Sequence, residues 1–257
     1  MAFVSRRLPP LVLGYHGVGR PSSRSADPHA LLTSEGALRR HLGILRSWGY
    51  ELLTFGALAA RVADGEANGC AAITFDDGLA NLATLPDVLG DSSAPATVFA
   101  VSSWLDAPHP DLEGMRTLDA DGLRALVRAG IEIGSHSESH PDLQCLGYER
   151  ARTELERSKA ALEELLQVPV ETAAYPYGRA DDATRRACRD AGFRAACRTM
   201  GQGTWDDPFD LPRQDMDEWS NRVGLRLKRD NRYEVIMRWR PARAVRSFGR
   251  VARSALA

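Results

Sequence analysis

Short apolar runs of about four to seven residues alternate along this chain with amphipathic stretches of about ten to twenty, and no other feature constrains the fold as strongly. Leu11 to Tyr15, Ala71 to Phe75, Ala96 to Val101, Ile131 to Gly134, Thr172 to Tyr175 and Arg194 to Cys197 read as buried strands. Glu35 to Trp48, Phe55 to Ala63, Ala120 to Ala129, Tyr148 to Leu166 and Asp182 to Ala191 read as helices, with Asp119 as an N-cap and Gly49, Gly130 and Gly192 where helices should stop. Strands and helices alternating through short connections imply parallel strands with helices packed outside. The count suits a barrel better than a short open sheet, and 257 residues are enough to build one.

Composition narrows the class. A content of 44% hydrophobic and 26% charged residues excludes wholesale disorder and collagen-like or disulfide-scaffold chains. No apolar stretch approaches the roughly 20 residues that a membrane-spanning helix needs. Cys70, Cys145, Cys188 and Cys197 form no CxxC pair, so reduced thiols are expected. Ser5-Arg6-Arg7 superficially matches an export signal, but Pro9-Pro10 interrupts the apolar region that should follow; a cytoplasmic location is the expectation. The net charge of -1 is unevenly spread: residues 222–257 carry a net of +9, which leaves -10 for residues 1–221. The expected organisation is therefore a catalytic barrel over 1–221 and a basic helical tail over 222–257. On a helical projection Arg243, Arg246, Arg250 and Arg253 form one stripe, a pattern suited to an anionic membrane surface at the inner face of the cell membrane or to docking on the acidic barrel. An acidic body disfavours nucleic acid.

In barrels of this kind chemistry gathers at the C-terminal ends of the strands, which singles out His16, Asp76-Asp77, His136 and Tyr177. The run Ile73-Thr74-Phe75-Asp76-Asp77-Gly78 ends a strand with two adjacent carboxylates; burying them demands partners such as arginine or a metal. Gly134-Ser135-His136-Ser137-Glu138-Ser139-His140 follows another apolar run with two imidazoles four residues apart, a spacing at which both can face one cation. Ala174-Tyr175-Pro176-Tyr177-Gly178 follows a third. Three protein ligands with one open position is the arrangement of catalytic zinc.

In this order and spacing, TFDDG, SHSESHPDL and AYPYG resemble the motifs of the polysaccharide deacetylase family, also called the NodB-homology domain or carbohydrate esterase family 4. The resemblance runs from Ala72 to about Arg213. It implies a distorted (β/α) barrel in which Asp77, His136 and His140 bind one divalent metal, with Zn, Co or Ni expected. It further implies Asp76 as general base and the backbone N–H of Tyr177 as a donor to the oxyanion.

Two departures stand out. The family commonly has an arginine two residues before the motif proline, where this chain has Ala174; Leu211-Pro212-Arg213 resembles a segment from which Arg213 could supply that guanidinium. The family's late general-acid histidine is also missing, since no histidine follows His140. Leu13-Gly14-Tyr15-His16-Gly17-Val18 resembles the start of the circularly permuted branch, which implies His16 as the acid. The expected function is removal of N-acetyl groups from an amino sugar in a glycan or lipid-linked precursor. The alternatives are hydrolysis of another C–N bond, of the cyclic imide or ureide type, and an inactive sugar-binding domain.

Overall fold

The computed structural model describes residues 8–23, 25–90 and 94–233. The Arg243, Arg246, Arg250 and Arg253 stripe lies outside them. In chain order the elements are β1 (Leu11–Tyr15), β2 (Gly17–Val18), β3 (Leu32–Thr33), α1 (Glu35–Ser47), β4 (Glu51–Leu53), α2 (Phe55–Ala63), β5 (Cys70–Phe75), α3 (Leu85–Leu89), β6 (Thr97–Ala100), α4 (Ala120–Arg128), β7 (Glu132–Ser135), α5 (Tyr148–Leu166), β8 (Thr172–Ala174), α6 (Asp182–Asp190), β9 (Ala195–Cys197), β10 (Gln214–Asp215) and α7 (Arg222–Arg229). Side chains of Ser34, Thr54, Asp119, Asp181 and Asn221 cap α1, α2, α4, α6 and α7 by accepting from backbone N–H groups in the first turn.

The main sheet is all parallel in the order β10-β1-β5-β6-β7-β8-β9, with β4 also on β5. A further parallel bridge joins Cys197 at the end of β9 to Leu211, just before β10. That bridge draws the two ends of the sheet together into a distorted (β/α) barrel. Side chains alternate between its two faces. Leu11, Leu13, Tyr15, Ala71, Ile73, Phe75, Val98 and Ala100 pack in the large core under the helices. Val12, Ala72, Phe99, Ala174, Ala195, Cys197 and Leu211 fill a smaller core with Phe55 and Leu58 of α2. On the same inner parity, Glu132 accepts from Thr97 Oγ1, Thr172 Oγ1 and the backbone N–H of Gly56, which ties α2 to three strands.

The first residues of the basic segment belong to the folded body. α7 buries Leu225 and Lys228 and sets Arg222 and Arg229 over Trp48 at the end of α1. Among the described residues no helix is long and apolar enough to cross a membrane.

Candidate active site

Strand parity builds the site. Val12 and Gly14 on β1, Ala72 and Thr74 on β5, and Glu132 and Gly134 on β7 point inward, so the next inward positions past the strand ends are His16, Asp76 and His136. Register keeps the first two together: Tyr15 pairs with Phe75, and the N–H of Asp76 donates to the carbonyl of Tyr15 at 2.9 Å.

Asp76 is buried and clamped. Arg213 donates from Nη1 to Asp76 Oδ1 and from Nη2 to Oδ2, each at 2.6 Å, and its Nε donates to the carbonyl of Arg198 at 3.1 Å. Gly14 makes room, because a Cβ there would lie 3.1 Å from both Cδ and Nε of Arg213. Burial alone would raise the pKa of Asp76; the Arg213 guanidinium, helped by His136, outweighs it and holds the carboxyl below its ordinary value. Position 174 itself holds the small, fully buried Ala174, so the guanidinium beside Asp76 comes from Arg213.

Asp77 turns away from Asp76 through a left-handed backbone (φ 66°). Its Oδ1 lies 3.7 Å from His136 Nε2 and 3.6 Å from His140 Nε2. His136 Nδ1 donates to the carbonyl of Ala174 at 2.7 Å, which fixes the tautomer and leaves the Nε2 lone pair facing the carboxylates. Burial, then the neighbouring His136, pushes His140 down to about 4, so its imidazole is neutral at pH 7. Ser137 (φ 68°), His140 (φ 62°) and Tyr177 (φ 57°) are left-handed as well. Such strain in non-glycine residues concentrates where function over-determines the backbone. Ser137 Oγ accepts from the N–H of His140 at 2.9 Å and holds that turn.

These residues fit a metal. One donor atom each from Asp77, His136 and His140 lies within 4.8 Å of the others. Asp77 Oδ1 is buried without a hydrogen-bond partner among the described residues, a costly state unless something cationic sits against it. The chemistry of one carboxylate and two imidazoles suits a borderline divalent ion.

The other two residues singled out in the sequence border this cluster. His16 is half-buried, one residue past the end of β1 and within electrostatic reach of Asp76, Asp77 and His140. Tyr177 is 54% exposed, with its ring centroid 4.9 Å from that of His140. The turn that presents it depends on Gly178, which is left-handed (φ 65°) and where a Cβ would lie 1.7 Å from Thr199 Cγ2.

Sequence reasoning missed His109 and Trp104. His109 Nε2 lies 3.1 Å from Asp77 Oδ2, and the Trp104 ring sits 5.5 Å from His109 and 5.1 Å from His140. His109 lies nine residues beyond the end of β6, too far along its loop for a rule that reads the first residues after each strand. The one signal available was a histidine held between Pro108 and Pro110.

Comparison with known proteins gives the chain a family. The model of the polysaccharide deacetylase family matches residues 64–196, just over half of the chain. The chain belongs to the polysaccharide deacetylase family. It is 24% identical over 191 residues to the putative polysaccharide deacetylase YxkH of Bacillus subtilis, covering 73% of this chain and 63% of that protein. It is 28% identical over 139 residues to a chitooligosaccharide deacetylase of Sinorhizobium fredii, covering 53% and 60%. It thus spans less than two thirds of either relative. Among solved structures, the Streptococcus pyogenes deacetylase PplD in complex with acetate superposes with a TM-score of 0.73 at 20% identity, over 85% of this chain and 96% of that one. His16 and Arg213 both lie outside the stretch that the family model matches.

Proposed function

We propose that this polysaccharide deacetylase is a metal-dependent N-deacetylase that hydrolyses the acetamide of an amino sugar in a glycan or lipid-linked glycan precursor. The observation that carries the reading is the difference between adjacent carboxylates: Asp77 presents to two imidazoles an Oδ1 that has no hydrogen-bond partner among the described residues, while Asp76 beside it is held by Arg213.

Asp77, His136 and His140 would hold the ion, with Zn, Co or Ni as its identity. A divalent ion there would polarise the amide carbonyl and raise the acidity of water. Asp76 takes the proton from the attacking water. Arg213 uses one lone pair on each oxygen, and a carboxylate has about four such sites, so acceptor capacity remains. His16, just past the end of β1, gives a proton to the leaving amine. The backbone N–H of Tyr177 donates to the oxyanion.

The test is acetate release from N-acetylglucosamine oligomers and lipid-linked N-acetyl sugars by protein stripped with chelator and then reloaded. The expected result is no release from stripped protein and recovery with at least one of Zn, Co or Ni. Turnover of cyclic imides or ureides instead, with no acetate released under any metal, would move the assignment to another C–N bond.

A further inference from the structure

The loop between β6 and α4 carries a histidine that belongs to none of the three motifs, yet its side chain is 1% exposed and touches the metal-site carboxylate. The loop is pinned beside Asp77 by its backbone. Leu118 N–H donates to the carbonyl of Gly78 at 2.8 Å, Ala80 N–H to that of Arg116 at 2.8 Å, and Leu79 bridges Thr117. Inside the loop, His109 N–H donates to the carbonyl of Met115 at 2.8 Å, and Pro108 bridges Arg116. His109 is therefore carried by a folded strap tied to the TFDDG turn.

Its tautomer follows from its contacts. The N–H of Asp111 donates to His109 Nδ1 at 3.1 Å, so Nδ1 is an acceptor and the ring proton of the neutral imidazole is on Nε2. Nε2 consequently donates to Asp77 Oδ2, 3.1 Å away. That bond distinguishes the two oxygens of Asp77: Oδ2 is occupied by His109, and Oδ1 is the oxygen set 3.7 Å from His136 Nε2 and 3.6 Å from His140 Nε2. A nitrogen that spends its proton on a carboxylate has no lone pair for a metal, so His109 stands behind the ligand.

We propose that His109 is a positioning residue for the metal centre, locking the Asp77 carboxylate so that one defined oxygen is presented to the ion. The proposal rests on the metal-site reading above, but not on the substrate assigned there. Partners that orient a metal ligand typically contribute about 10- to 100-fold in metal affinity.

The test uses the full chain with Zn²⁺ and Co²⁺, measuring affinity by competition with a chromophoric chelator. In His109→Gln the side-chain amide reaches as far as Nε2 and can still donate to Asp77. In His109→Asn the shorter amide retains an acceptor for Asp111 but falls short of Asp77, and His109→Leu removes both contacts. The expected result is affinity within a few-fold of wild type for His109→Gln and about 10- to 100-fold weaker for His109→Asn, with a changed visible spectrum of bound Co²⁺. Wild-type affinity in both His109→Asn and a folded His109→Leu would overturn the proposal. So would equal loss in His109→Asn and His109→Gln, which would make the imidazole itself a ligand, and so would wild-type protein that binds metal no better than Asp77→Asn. Weaker metal binding by His109→Asn in a protein that releases no acetate would keep this inference and remove the N-deacetylase reading.

Discussion

Arg213 reaches the inner face of the barrel beside β1 and places Nη1 and Nη2 each 2.6 Å from one oxygen of Asp76, although 137 positions separate the two residues in the chain. Both side chains are buried, and the pairing is symmetrical, so it fixes the plane of the carboxylate as well as its charge. Arg213→Met should leave a buried carboxylate without its partner, which typically costs about 3–5 kcal/mol. Arg213→Lys keeps a positive charge but loses the fork; we expect it to remain folded, with kcat reduced and metal affinity unchanged. Urea unfolding together with metal titration and steady-state kinetics checks both. Unaltered kcat in Arg213→Lys would show that orientation of Asp76 does not matter.

Asp76→Asn and Asp77→Asn should separate cleanly. The first removes the proton acceptor and should lower acetate release by about 10²- to 10⁴-fold while the protein still binds metal. The second removes the carboxylate whose Oδ1 lies 3.6–3.7 Å from both imidazoles, and metal content should fall with activity. Metal analysis after dialysis distinguishes them, and equal loss of metal from both would contradict the assigned roles.

Much of this architecture could be read in the chain, for physical reasons that also explain what could not. β1, β5 and β7 are buried runs long enough to be read from hydrophobicity alone, and the polar residues that follow them include His16, Asp76 and His136. β10 is only Gln214–Asp215, too short for any periodicity; it exists because β1 offers an edge, and it sets Arg213 in place. A charge count groups Arg222 to Arg229 with the basic tail because it averages over all sides of a helix, yet Leu225 on α7 is fully buried. His109 was invisible for a different reason. Its position depends on hydrogen bonds from Leu118 to Gly78 and from Ala80 to Arg116, pairings between loops that leave no trace in local pattern.

His16 should matter in proportion to how poor the leaving group is. An amine must be protonated as the C–N bond breaks, whereas a nitrophenolate can leave unaided. His16→Asn should therefore depress hydrolysis of N-acetyl sugars by about 10²-fold or more while affecting p-nitrophenyl acetate far less. Comparing kcat/KM on the two substrates is the measurement. A uniform loss on both would assign His16 to binding or to support of the site.

The pair Tyr15–His41 predicts how stability responds to acid. Tyr15 Oη lies 3.0 Å from His41 Nδ1, and His41 Nε2 lies 2.7 Å from the carbonyl of Ser220, which accepts only if Nε2 carries the proton. The imidazole is thus neutral, with Tyr15 donating to Nδ1. Burial, only partly opposed by the Ser220 carbonyl, pushes His41 down to about 4 from 6.5. Above pH 6.5 it is neutral in the folded and unfolded chains alike, and its contribution to stability is complete. Between pH 6.5 and about 4 the unfolded chain takes up the proton first, so stability falls as pH falls, by on the order of 3 kcal/mol from this residue over that window. Urea unfolding of metal-free protein at pH 7, 6 and 5 should show the gap between wild type and His41→Gln narrowing toward low pH. A gap independent of pH would mean that His41 is not held neutral in the fold.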